Sequence, residues 1–338
     1  MSRKIVCLGE LLVRLSAPGK ELLLQSARLE SHIGGAEANV AVGLSKLGHA
    51  TSMISMLPDN SLGHAAVAEL RRHGVATESI QWSAGRMGLY FLTHGTGPRP
   101  AEVLYDRAGS AFAEAPADSF DWPVLLEDAA WLHVSGITPA VSESGAALAL
   151  RAMTAARAAG VAISFDCNFR SRLWGARSPQ APAILTALCE HATLIFGEHR
   201  DIDFMLGASD DLDGTENRQR DAADRAFAAF ESLQWMAHTD RTRTSADVQQ
   251  LSATLHAREQ SYTTSTHPLL GIVDRIGAGD AFAAGILHGL IEGLPPQSVA
   301  EYGVAAACLK HTIPGDFNLV SRSDIELFLS DLQMDVRR

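Results

Sequence analysis

Cysteine is scarce. Cys7, Cys167, Cys189 and Cys308 are the only four in 338 residues, and no two stand at C-x-x-C spacing. Cys7 and Cys167 lie in apolar strand-like runs, where a reduced buried thiol is the ordinary state. No apolar run reaches membrane-spanning length. Met1-Ser2-Arg3-Lys4 leads into a strand and not into a signal-peptide core, so a soluble cytoplasmic protein is expected. Positive charge is short as well: 28 Lys and Arg against 39 Asp and Glu give a net charge of −11. That disfavours nucleic acid and anionic membranes as partners, while a local basic pocket stays open. No G-x-x-x-x-G-K-[ST] phosphate loop is present, and Gly9-Glu10 after the first strand lacks the later glycines of a dinucleotide fingerprint. The 13 histidines show no H-E-x-x-H or other ligand spacing, so no dedicated transition-metal site is expected.

What is present is an alternation of strand and helix patterns, long enough to bury a sizeable core as one large α/β domain or two smaller ones. Ile5-Val6-Cys7-Leu8, stopped by Gly9, reads as a buried strand. Gly34-Gly35 opens a helix to about Leu47, and strand 51–57 and helix 62–73 follow. From Trp131 onward the order is strand 131–134, helix 142–159, strand 161–165, helix near 181–190 and strand 193–196. This predicts a parallel sheet with helices on both faces. The acidic stretch 208–225 reads as a loop and an exposed helix, 251–266 as two strands, and 278–292, 297–310 and 323–332 as helices. Two stretches break the rhythm. Leu11, Val13 and Leu15 alternate, Pro18-Gly19 turns, and Leu22–Leu29 resumes as the second arm of a hairpin. Leu89–Leu92 and Val103–Tyr105 flank His94–Pro98 as a second ribbon. Together they predict one small β-layer, placed as a lid over the carboxyl edge of the strands, where open α/β sheets bind ligands.

Five segments carry chemistry. Gly277-Ala278-Gly279-Asp280 ends a β-rich approach and opens a helix of small residues. Its glycines let backbone N–H groups point into one cavity, and the helix start adds its positive dipole end, which suits a phosphate. Asp280 would repel that phosphate unless it had another task, and taking a proton from a hydroxyl is such a task. A tight turn with Asp280 as helix cap is the alternative. Gly34-Gly35-x-x-x-Asn39 admits a small polar ligand to a helix start, or simply packs closely on the sheet. Tyr105 and Arg107 alternate and face one side, with Tyr90 opposite; an ordinary aromatic cross-strand pair reads the same way. Asp166-x-Asn168-x-Arg170 crowds polar groups at a strand end, where Arg170 can grip a carboxylate or phosphate with two bonds or pair with Asp166. Ile313-Pro314-Gly315-Asp316-Phe317-Asn318 is a turn after a helix, or a plain connector.

In this order and at these separations, Gly34-Gly35-x-x-x-Asn39, Asp166-x-Asn168-x-Arg170 and Gly277-Ala278-Gly279-Asp280 resemble the ribokinase (PfkB) sugar-kinase family along nearly the whole chain. Tyr105–Arg107, Leu173-Trp174 and Ile313–Asn318 bring the likeness closest to the 2-keto-3-deoxygluconate kinases. The resemblance implies one ribokinase-like domain over 1–338, an α/β three-layer fold with a mainly parallel central sheet, and lid segments inserted at 11–33 and 85–108. It implies a homodimer or higher homo-oligomer, since family lids often pair between subunits. The implied reaction moves the ATP γ-phosphoryl group to the C6 hydroxyl of 2-keto-3-deoxygluconate, giving 2-keto-3-deoxy-6-phosphogluconate. A fructokinase, a kinase for the galactonate epimer and a non-catalytic sugar-acid-binding regulator are the alternatives.

By the same likeness Asp280 is the base, and the N–H groups of Gly277, Ala278 and Gly279 hold the transferring phosphate while Mg²⁺ bridges the nucleotide. Gly34, Gly35, Asn39, Tyr90, Tyr105, Arg107, Arg170 and Asp316 surround the substrate. Asn168, Arg241 and Ser245 contact the nucleotide. A monovalent cation is left open as a further cofactor. Two departures stand out. The family's Asn-x-x-Glu metal element is replaced by Phe196-Gly197-Glu198-His199-Arg200-Asp201, where Glu198 is the metal candidate and Asp201 the alternative. The glycine-rich nucleotide segment is replaced by residues 238–247. Arg107 and Arg170 in one pocket are costly without an anion to pair with, which favours a sugar acid over fructose or ribose.

Overall fold

The computed structural model describes residues 4–208 and 215–330. Its strands, in chain order, are β1 (Lys4–Leu8), β2 (Leu12–Ser16), β3 (Glu30–Gly34), β4 (Thr51–Pro58), β5 (Ile80–Ser83), β6 (Gly88–Thr93) and β7 (Glu102–Asp106). They continue with β8 (Ala129–Ser135), β9 (Ala162–Asp166), β10 (Leu194–Phe196), β11 (Trp235–Arg243), β12 (Val248–His256), β13 (Ser261–Thr263) and β14 (His267–Leu270). Ten form one sheet in the order β13-β12-β11-β10-β9-β8-β1-β4-β5, with β14 also on β12. From β11 to β5 every pair is parallel, whereas β12 runs antiparallel to β11, β13 and β14.

Successive side chains point to opposite faces, and both faces are covered, which explains why inner strands such as β1 are largely apolar. In β1, Val6 and Leu8 enter one core cluster while Ile5 and Cys7 enter the other; in β4, Ile54 and Met56 part from Met53 and Leu57 in the same way. Helices Glu143–Ala158, Ala181–Cys189 and Thr215–Ala229 cover the first face. Helices Ala36–Lys46, Ser61–Arg72, Ala278–Ile291 and Pro296–Lys310 cover the second. The result is the three-layer ribokinase-like α/β arrangement expected. All four cysteines are buried and unpaired.

The remaining strands form a separate sheet, β3-β2-β6-β7. Here the reading of the first ribbon needs correction. The arm pairing with β2 is Glu30–Gly34, in register from Leu12↔Gly34 to Ser16↔Glu30, and not Leu22–Leu29. Leu22 and Leu24 are exposed and Leu24 has φ +62, so the leucine run has no face to bury and stays a loop. Two other stretches also differ. Residues 239–243 belong to β11, the first arm of a long hairpin. Helix Thr215–Ala229, expected to be exposed, buries Ala222, Ala223, Ala226 and Phe227; residues 209–214 of that acidic stretch lie outside the described residues.

Candidate active site

The carboxyl ends of β9, β10 and β11, the start of helix Ala278–Ile291 and the small sheet enclose a cavity of about 1300 Å³. Parallel strands put their open ends here, so polar side chains collect without disturbing the core. Gly35, Asn39, Tyr90, Tyr105, Arg107, Asn168, Arg170, Glu198, Arg241, Gly277, Gly279, Asp280 and Asp316 all line it. These positions come from eight separate stretches of sequence. Gly34, Ser245 and Ala278 are not on its wall.

Gly277 has φ +80, and a Cβ there would lie 1.9 Å from the Asp316 carbonyl oxygen, so only glycine fits. The Ala281 N–H donates to the Gly277 carbonyl at 2.8 Å, and the Ala278 N–H turns inward to the Arg275 carbonyl at 3.3 Å. The N–H groups of Gly277, Gly279 and Asp280 have no acceptor among the described residues. Ala278 is buried behind the turn, so it does not share the cavity-facing role of its two glycine neighbours.

Asp280 does not cap its helix, whose N-cap is Gly277 without a side-chain bond. Its carboxylate instead accepts a 2.6 Å hydrogen bond from Asn39 Nδ2. Asn39 Oδ1 is left buried without a partner, an acceptor available to a ligand hydroxyl. Burial pushes the Asp280 carboxyl up to about 8. The Asn39 bond opposes this, and the carboxylates of Asp166, Glu37 and Asp316 add to it. Burial likewise carries Asp166 up to about 7 against the pull of Arg170. A base works only when deprotonated, so with Asp280 in that role activity is expected to fall with pH through this range. We expect kcat/KM to drop about tenfold per pH unit on the acid side, with an apparent pKa belonging to the coupled carboxylates and near that of Asp280. A profile flat between pH 6 and 9 at saturating ATP would remove Asp280 from that role.

Behind the turn lies a charged cluster that sequence reasoning missed. Arg14, in the middle of β2, is buried; its Nη2 donates to Asp274 Oδ2 at 2.8 Å, and its Nη1 stands 3.1 Å from Asp316 Oδ1. Asp274 also accepts from the N–H groups of Ile276 and Gly315, each at 3.0 Å. The Tyr90 hydroxyl donates to Asp316 through a short bond. The small sheet is thereby fastened to the Gly277 turn. The signal was an arginine inside the apolar run Leu12-Val13-Arg14-Leu15, since a buried cation needs carboxylates.

The glycine pair proves to admit protein groups. A Cβ on Gly34 would meet Asp316 Oδ2 at 2.1 Å, and one on Gly35, at φ +147, would meet the Glu10 carbonyl at 2.2 Å. Close packing thus accounts for Gly34, while Gly35 also reaches the cavity.

Arg107 requires the largest correction. It lies just past β7 and is buried, with Nη2 2.6 Å and Nε 2.7 Å from Glu10 Oε2. Glu10 already neutralises it, so the expected pair of unpaired arginines reduces to Arg170. Arg170 is exposed to the cavity, bonds only the Phe169 carbonyl at 3.1 Å, and has no ion pair among the described residues. Tyr90 and Tyr105 stand opposite each other in register, with ring centroids 6.4 Å apart.

Elsewhere on the wall, Arg241 is joined by Arg243 and Arg275, which sequence reasoning overlooked although Arg241 and Arg243 share a strand face. Arg241 bonds Gln249 Oε1 at 2.9 Å and His311 Nε2 at 3.0 Å. Burial, together with Arg275 and Arg243, pulls it down to about 10. None of the three meets a carboxylate among the described residues, which marks an anion site. Ser245 is misplaced by the sequence reading: its Oγ accepts from the Asp247 and Val248 N–H groups and holds the turn after β11.

Glu198 caps helix His199–Leu206 in a reciprocal box with Asp201, whose Oδ2 accepts from the Glu198 N–H at 2.9 Å. Both residues face the cavity. A His/Cys/Asp/Glu grouping dense enough for a metal cage occurs among the described residues only at His49, His288 and Glu292, none of which lines the cavity. Mg²⁺ on a nucleotide needs no such cage, because one or two carboxylates and the phosphates hold it.

Phosphoryl transfer to a small hydroxyl compound is the chemistry this wall serves, and with the three-layer α/β fold it defines a small-molecule kinase. The chain belongs to the pfkB family of carbohydrate kinases, whose sequence pattern matches residues 2–320. It is 33% identical over 330 residues to a 2-dehydro-3-deoxygalactonokinase of Haloferax volcanii, spanning 97% of each protein. It is 28% identical over 321 residues to a 2-dehydro-3-deoxygluconokinase of Thermoproteus tenax, spanning 92% of this chain and 89% of that one. A solved 2-dehydro-3-deoxygluconokinase of Thermotoga maritima is similar with a TM-score of 0.91 and 37% identity, over 97% of this chain and 99% of that chain. No helix among the described residues is long and apolar enough to cross a membrane.

Proposed function

We propose that the chain is a sugar-acid kinase that phosphorylates the C6 hydroxyl of 2-keto-3-deoxygluconate with ATP and Mg²⁺. The observation that carries this reading is Arg170, a cation with no direct ion pair among the described residues, on the same cavity wall as Asp280. A neutral sugar leaves it unpaired, whereas an acid supplies charge-assisted bonds. The galactonate epimer is the second reading, supported by the likeness to the Haloferax volcanii enzyme.

In this reading Asn39 holds the Asp280 carboxylate toward the acceptor hydroxyl, and Asp280 takes its proton as the phosphoryl group arrives. The Gly277 and Gly279 N–H groups meet the charge developing on that group. Arg241, Arg243 and Arg275 bind nucleotide phosphates, with Asn168 at the cavity edge. Glu198 and Asp201 are the carboxylates nearest in character to a magnesium site; the ion, when bound, neutralises phosphate charge. The small sheet, carrying Tyr90, Tyr105 and Leu12 to the cavity, serves as a lid that excludes water. Leu104, exposed on its edge strand β7, supports pairing with a second copy of the chain.

Arg170→Ala tests the assignment. KM for the keto-deoxy acid is expected to rise roughly 10- to 100-fold, the worth of a charge-assisted bond, with KM for ATP changed far less. The reverse pattern in steady-state kinetics would hand Arg170 to the nucleotide.

A further inference from the structure

Lys310, the last residue of helix Pro296–Lys310, is fully buried at 0% exposure. Lysine is almost never found so deep without a partner. Its Nζ hydrogen-bonds the Ile313 carbonyl at 3.0 Å and makes no direct ion pair among the described residues. Its stem lies beneath the catalytic turn: a Cβ on Gly277 would stand 3.4 Å from Lys310 Cε. Burial lowers its affinity for a proton, Asp274, Asp316 and Asp280 raise it, and Arg14 lowers it. The buried space behind the turn therefore holds two cations, Arg14 and Lys310, against two carboxylates, Asp274 and Asp316. Without Lys310 that space would be net negative just where a phosphate must approach.

Buried carboxylates and a backbone carbonyl beside an anion-binding turn are also what a monovalent metal ion would need. The residues present do not fit such an ion, because an ammonium group, itself a compact point charge, already lies among them. We propose that Lys310 is a built-in cation that positions the Asp274–Asp316 cluster and the Gly277 turn, so that this enzyme works without a monovalent metal ion. The inference rests on the reading of Gly277–Asp280 as the phosphate-holding turn.

The test compares cations at equal ionic strength, with choline as the reference, reading both kcat and the thermal unfolding midpoint. For the unaltered protein, K⁺, Na⁺ and NH₄⁺ are expected to change kcat by less than about twofold and to leave the midpoint where choline puts it. Stimulation of about tenfold or more by K⁺, or a raised midpoint in K⁺, would overturn the proposal. Lys310→Ala is expected to lower kcat roughly 10- to 100-fold and to recover about tenfold in NH₄⁺, methylammonium or K⁺, with a midpoint raised by the same ions. Lys310→Met, which fills the space, is expected to lose as much and recover nothing. A folded Lys310→Ala protein with full kcat, or one that no cation restores, would also overturn it. If neither variant folds, the cation response of the unaltered protein decides alone. The midpoint needs no sugar, so it reports on Lys310 even if the acceptor proves to be a different one.

Discussion

Asp280→Asn is expected to lower kcat by about 10²- to 10⁴-fold while KM for ATP and for the acceptor stays nearly constant. Asparagine keeps the volume and the contact with Asn39, so binding geometry survives while the proton acceptor is lost. The same substitution is expected to stabilise the protein. An Asp whose folded pKa is raised binds its proton more readily folded than unfolded, so stability declines as pH rises from the unfolded value towards about 8. The variant and the unaltered chain should therefore unfold alike near pH 4. Above that the variant should pull ahead, by roughly 2–4 °C or more at pH 8. Near-normal kcat, or a variant less stable at pH 8 than at pH 5 relative to the unaltered chain, would show that Asp280 is not the buried base described.

Arg14→Ala is expected to cost about 3–5 kcal/mol, the range for removing one partner of a buried ion pair. The cost arises because Asp274 and Asp316 remain buried next to each other with too little positive charge. For a chain of this size the midpoint should fall on the order of 5–10 °C. Asp274 also holds the N–H groups of Ile276 and Gly315, so its release should disturb the Gly277 turn and lower kcat too. Arg14→Lys keeps the charge but not the two-pronged reach and should fall between the two. Calorimetry together with steady-state kinetics checks both effects. An Arg14→Ala protein with unchanged midpoint and kcat would mean that the link between the small sheet and the turn is incidental.

The sequence made much of the fold legible, because burial on both sheet faces writes itself as apolar runs such as Ile5–Leu8. It made the Gly277–Asp280 turn legible because φ +80 at Gly277 demands glycine. What it concealed is which buried charges meet. Arg107 finds Glu10 across 97 positions and Arg14 finds Asp274 across 260, and nothing local to either arginine names its partner. Arg107 therefore read as a free cation facing substrate when its charge was already matched. Gly34 read as a ligand approach because an absent Cβ does not say whose atoms come close. The run Leu22–Leu29 read as a strand from hydrophobicity alone, although leucine without alternation carries no face to bury. Lys310 stands at a helix end, where a cation is ordinary, and only its depth distinguishes it.

The most direct measurement is coupled ADP release with a panel of acceptors at saturating ATP and Mg²⁺. Turnover of 2-keto-3-deoxygluconate or its galactonate epimer is expected, with kcat/KM for fructose and ribose lower by at least about 100-fold, since a neutral sugar leaves Arg170 without an anion. Turnover of fructose or ribose without turnover of either keto-deoxy acid would contradict the assignment.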